Sequence, residues 1–140
     1  MESNRKHSWF FSFKSVFQAE KYLKVMTDKW NRLIYTRFRL RTLGLSANKR
    51  WFQPGTSTDL PCPMCGYNVE NEIHFLFQCK AYDSIRDKCE FFSLDVAKRQ
   101  DIVFILSSYN EHIIKSVAKF VAEAVKIRQN QVNSSCVASS

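Results

Sequence analysis

The run CPMCGYNVENEIHFLFQC, residues 62–79, gathers three of the chain's five cysteines and one of its three histidines. The spacing is Cys62-x2-Cys65-x8-His74-x4-Cys79. A two-residue gap between cysteines forms a tight knuckle, in which both sulfurs point at one centre while backbone N–H groups turn toward sulfur. Pro63 stiffens that turn, and Gly66 permits the positive φ that follows it. His74 and Cys79 complete a Cys3His set. Four protein ligands make the closed tetrahedron of a structural zinc site; catalytic sites keep one position open. One Zn2+ held this way cross-links the middle of the chain, and any fold must bring these four side chains to a point.

The same spacing constrains local geometry. His74 and Cys79 are five residues apart, about 140° around an ideal helix, so one face of an unbroken α-helix cannot present both. The helix must tighten or break before Cys79. Two other readings compete with metal: inert buried thiols beside a core histidine, and a disulfide among Cys62, Cys65 and Cys79. The N-terminus, MESNRKHSWFFSFKSVF, lacks the apolar core and small-residue cleavage site of a secretory signal. The expected location is therefore intracellular, nuclear or cytoplasmic, and not secreted; in a reducing compartment clustered thiols read as metal ligands. Cys89 and Cys136 fall outside the spacing, Cys89 as a small core residue on a helix and Cys136 in the tail. His7 and His112 read as surface residues.

With 140 residues the chain is expected to form one compact domain. Only three Gly and three Pro interrupt it, and 45% of its residues are apolar. That mix predicts a mostly α, small helical domain of about four to five helices built around one zinc knuckle. A flexible basic and aromatic arm is expected over 1–12, a basic helical segment over 13–52 and the zinc-binding segment over 53–92. A C-terminal helical segment follows over 93–128 and a disordered tail over 129–140. Apolar spacing predicts a helix over 15–26, and another, capped by Asp28, over 29–43 and ended by Gly44. Asn68 is the candidate cap for a helix running through Ile73, Phe75, Leu76 and Phe77, continued or restarted through Tyr82, Ile85 and Cys89. Residues 101–108 lean to helix. The strongest amphipath is 110–128, with Ile114, Val117, Ala118, Val121 and Val125 on one face and Lys115, Lys119 and Lys126 on the other.

Charge is distributed unevenly. Residues 1–51 carry 12 Lys/Arg against 3 Asp/Glu, a net +9, whereas residues 52–140 carry 9 against 10, a net −1. A basic excess confined to the segment ahead of the cysteine cluster points to a polyanion, nucleic acid before membrane. Arg32, Arg37, Arg39, Arg41, Lys49 and Arg50 are candidates for phosphate contact, with Trp51 and Phe52 for base stacking or simply for the core. In a helix over 29–43, Trp30, Ile34 and Phe38 share one side and Arg32 and Arg39 point away from it. Arg37 and Arg41 fall among the apolar positions, so they must meet carboxylates or line a groove for phosphates. No apolar run is long enough to span a bilayer. Motifs for a Gly-rich phosphate loop, HExxH, GxSxG or a two-magnesium carboxylate pair are not found, and no catalysis or small-molecule substrate is expected.

TRFRLRTLGLSANKRWF, then LPCPMCG…NEIHFLFQCKAYDSIR, then FILSS…VAKFVAEAVKIR resembles the C-terminal segment of animal non-LTR (LINE-like) retrotransposon reverse transcriptases, over roughly residues 30–128. The resemblance implies one zinc held by Cys62, Cys65, His74 and Cys79. It also implies a segment that helps a reverse transcriptase hold template RNA or target DNA. The polymerase core and endonuclease of that family have no counterpart here, so the chain is expected to be a detached tail, either a retrotransposon remnant or a piece put to new use. The primary expectation is a nucleic-acid-binding zinc module for RNA or single-stranded DNA. The alternative is a protein-interaction or structural module that docks on a partner, or on itself, through the apolar faces at residues 75–77 and 113–125.

Overall fold

A computed structural model describes residues 21–45, 61–66 and 69–138. The 1–12 arm, the start of the first helix, Lys49, Arg50, Trp51 and Phe52, the beginning of the 53–92 segment, Asn68 and His7 lie outside the described residues. Those described are mostly helical and hold no strand. Six α-helices run in the order α1 (Lys21–Val25), α2 (Lys29–Arg39), α3 (Asp83–Asp87), α4 (Asp95–Lys98), α5 (Ile102–Ser107) and α6 (Glu111–Ala138). A π-turn (His74–Gln78) and 3-10 turns at Lys80–Tyr82 and Glu90–Ser93 fill the middle.

The long helix α6 is the axis of the molecule, and α1, α2, α3 and α5 pack on it. Its predicted face is the buried one: Ile114, Val117, Ala118, Val121 and Val125 are all within the core, joined by Phe120, Ala122 and Ala124. Lys115, Lys119 and Lys126 are exposed. The helix does not stop at 128 but runs to Ala138. Residues 129–138, expected to be a disordered tail, contain no Gly or Pro to end the hydrogen-bond ladder, and helix continues through them.

The second helix is capped as predicted, with Asp28 Oδ1 accepting the Asn31 N–H at 2.8 Å. It ends sooner than residue 43. Arg41, three residues short of Gly44, takes a left-handed conformation (φ 58°), and the Thr42 N–H closes on the Arg37 carbonyl at 2.9 Å. Asp101 likewise caps α5, accepting from the Phe104 N–H at 3.1 Å, which settles 101–108 as helical.

Aromatic rings fill the centre. Phe75 lies 5.9 Å from Phe38, 5.1 Å from Tyr82 and 6.2 Å from Phe120, and Phe120 lies 5.0 Å from Phe92, mostly edge to face. Each such pair adds about 0.5–1.5 kcal/mol beyond its burial. Phe75, Leu76 and the inner face of α6 are therefore core, not a free docking surface. Among the described residues no helix is long and apolar enough to cross a membrane.

Candidate metal centre and its supports

Cys62, Cys65, His74 and Cys79 converge, their ligand atoms all within 4.8 Å of one another, and form a group that could hold a metal ion. The Cys62 and Cys79 sulfurs are 3.9 Å apart, and the Cys65 sulfur is 3.4 Å from His74 Nε2. Three of the four side chains are buried; Cys65 sits at the surface.

Each ligand is placed by local chemistry. The knuckle at 62–66 forms as the CPMCG pattern predicts: Gly66 has φ 75°, its N–H bonds the Cys62 carbonyl at 2.9 Å, and the Met64 and Cys65 amides face the Cys62 sulfur. His74 begins a turn whose cap is Asn71, the side-chain oxygen of which accepts the His74 N–H at 2.8 Å. The conflict between a five-residue gap and an α-helix is resolved by widening rather than tightening. Residues His74–Gln78 make i→i+5 bonds, and the Cys79 N–H closes on the His74 carbonyl at 2.8 Å. A π-turn carries a residue five positions on back over its starting face, so both ligands reach one point. The chain then breaks into extended backbone at Cys79 (ψ 119°). The helix expected through Ile73, Phe75, Leu76 and Phe77, continued or restarted to Cys89, is thus three short pieces, and Cys89 falls just after them rather than on a helix, half-buried.

Four arginines bind the fold rather than face solvent. Arg86, nearly buried, donates to the carbonyls of Leu76 at 2.9 Å, Cys79 at 2.6 Å and Phe75 at 3.1 Å. These are orphan carbonyls at the end of the π-turn, so one guanidinium holds the strand of backbone that carries Cys79. Arg128 of α6 grips the fully buried Glu70 with two bonds of 2.8 and 2.7 Å and reaches the Gly44 carbonyl at 3.4 Å. Glu70 in turn lies 3.7 Å from the Cys62 sulfur. Burial would lower the Arg128 pKa, but the Glu70 carboxylate more than offsets it and the net direction is up.

Two sequence candidates for phosphate contact are used elsewhere. Arg39 is buried: it donates to the Leu106 carbonyl and lies over the Tyr22 and Tyr35 rings at 4.8 and 5.9 Å. Its expected outward direction fails because α1 and α5 both close over that side of α2. Arg41 is 3.4 Å from the buried Glu72, so of its two predicted fates it takes the carboxylate. Arg32 is half-buried and Arg37 exposed. Lys49, Arg50 and Trp51 are outside the described residues. Sequence reasoning missed Glu70, Glu72, Arg86 and Arg128. The two acids inside an otherwise apolar ligand segment, VENEIH, were the available signal, since a buried carboxylate demands a cation.

Burial raises the Cys62 pKa and, aided by the neighbouring thiols, pushes Cys79 up to about 12; it lowers that of His74. Without metal, the fold therefore favours a protonated Cys79. A folded pKa above the unfolded value of 9.0 contributes stability that is present below pH 9 and lost as pH rises toward about 12. Chelated protein should lose thermal stability above pH 9, while protein saturated with metal, which binds the thiolate, should not. Melting curves with and without chelator between pH 7 and 10.5 check this; parallel pH profiles would refute it.

Comparison with models of known families, with curated proteins and with solved structures finds no significant match.

Proposed function

We propose that the chain is a zinc-clasped helical module that binds nucleic acid, akin to the tail of a non-LTR retrotransposon reverse transcriptase. The observation that carries the metal half of this reading is the convergence of Cys62, Cys65, His74 and Cys79. A tetrahedron with Zn–S near 2.3 Å and Zn–N near 2.0 Å has S···S edges of about 3.8 Å and S···N edges of about 3.6 Å. The separations of 3.9 and 3.4 Å fit those edges. Three soft sulfurs and one imidazole suit zinc over the oxygen-seeking magnesium and calcium. With four protein ligands the ion's role is structural: it ties the backbone at Cys62 to that at Cys79.

The nucleic-acid half is supported by the net +9 of residues 1–51. Because Arg39 and Arg41 serve the fold, phosphate contact falls to Arg32, Arg37, Lys49 and Arg50, with Trp51 for stacking. Four contacts give a slope of log affinity against log salt of about −3 on a single strand. The test pairs elemental analysis of purified protein with titration of an RNA oligonucleotide across ionic strength. One zinc per chain and a steep salt dependence are expected. Absence of stoichiometric metal would end the first half of the reading, and affinity indifferent to salt the second.

A further inference from the structure

The surface of α2 is not uniform in what its cations do. Arg39, the last residue of the helix, is buried, donating to the Leu106 carbonyl and lying over two tyrosine rings. On the outer side, Trp30, Leu33 and Arg37 stand at i, i+3 and i+7, and all three are exposed, Trp30 by 38% and Leu33 by 44%. The sequence pattern put Trp30 with Ile34 and Phe38. The structure buries Ile34 and Phe38 and leaves the indole on the rim, because the core approaches α2 from the side of Tyr35. Lys29 lies on the same outer side, and Lys24 is exposed on the preceding helix.

Charge separates this surface from the molecule's other basic strip. On α6, Lys115 is 3.0 Å from Glu111, and Lys119 and Lys126 share a groove with Glu123 and Asp28. Among the described residues, the acid beside the α2 face is Asp28, and that carboxylate is engaged at the helix cap. Uncompensated cations around an exposed indole suit a partner that is anionic and presents flat apolar faces. An apolar protein helix would gain from Trp30 and Leu33 but would have to strip water from Arg37 and Lys29 with nothing in return.

We infer that the outer face of α2 is a platform for unpaired nucleic-acid strands, on which Trp30 stacks against a base, Leu33 covers its edge, and Arg37 and Lys29 meet the flanking phosphates. This rests on the nucleic-acid reading above and locates it. The Trp30-to-Arg37 distance along the helix is about 10 Å at 1.5 Å per residue, matching about three stacked nucleotides at 3.4 Å each. Bases in a duplex are already stacked on their neighbours, so the platform discriminates for single strands.

The test is an anisotropy titration of zinc-loaded full chain with a labelled oligo-uridine and with a hairpin duplex of equal length. The variants are W30A, R37Q and, on the opposite strip, K119Q. All three sites are exposed, and a melting curve verifies each fold. W30A should weaken single-strand binding roughly tenfold and duplex binding little. R37Q should reduce the salt slope by about 0.7, and K119Q should change neither. If the wild type binds but the W30A/R37Q double variant binds equally well, this placement is wrong while the nucleic-acid reading stands. If the wild type binds no strand even at low salt, both fall. If sedimentation shows a dimer that W30A disperses without altering oligo-uridine affinity, the face docks a second copy of the chain instead.

Discussion

Chelation of the zinc-loaded protein is expected to lower its thermal midpoint by more than about 10 °C, and Cys65→Ser to do nearly the same. Structural zinc is worth on the order of 10–16 kcal/mol in small zinc-folded peptides, against a total stability of about 5–15 kcal/mol for a typical domain. Here the aromatic core around Phe75 and Phe120 contributes independently, so part of the fold should persist. Loss of about 4 kcal/mol corresponds to a shift of more than 10 °C for a chain this size. Cys65 is the informative position because it is exposed. If it were an ordinary surface thiol, serine in its place would change stability by less than about 0.5 kcal/mol. The same substitution at buried Cys79 would confound ligand loss with burial of a hydroxyl. An unshifted full transition for Cys65→Ser, or after the metal is gone, would contradict the metal clasp.

The second large effect belongs to Arg86. Replacing it with alanine strands three buried carbonyls, at Phe75, Leu76 and Cys79, and removes a guanidinium lying 5.4 Å over the Phe120 ring. The expected loss is about 3–5 kcal/mol by chemical denaturation, with metal affinity weakened about 10- to 100-fold because Cys79 is no longer held in place. Lysine should rescue little: a single ammonium lacks the planar fork that reaches three acceptors in different directions. A loss below about 1 kcal/mol for Arg86→Ala would show that water replaces the guanidinium at no cost.

The helical class, the cap at Asp28, the buried face of α6 and the four converging side chains were all legible from the chain, because each rests on local periodicity or fixed spacing. The need for a break between His74 and Cys79 was legible too, from helix geometry alone. Its form was not: a π-turn is costly in isolation and survives here because Arg86, a dozen residues on, takes up its free carbonyls. The fate of Arg39, and the choice between the two open to Arg41, were hidden for the same reason. Whether an arginine meets solvent or a buried acid depends on which distant segment closes over it, and Leu106 and Glu72 are 67 and 31 positions away along the chain. Trp30 failed by a narrower margin, lying at the edge of a stripe whose width periodicity does not define.

The π-turn has a bearing on which length variants such a chain tolerates. Removing one residue between His74 and Cys79 would restore ordinary α-helical winding and place both ligands on one face at i and i+4, leaving the ion satisfied. Everything downstream, however, would swing by about 100°, carrying Tyr82 away from the Phe75 ring and Arg86 away from the carbonyls it serves. The four-residue gap is therefore set by the packing around Phe75 and the carbonyls that Arg86 takes up, and insertions or deletions in it should be disfavoured even where the four side chains could still converge.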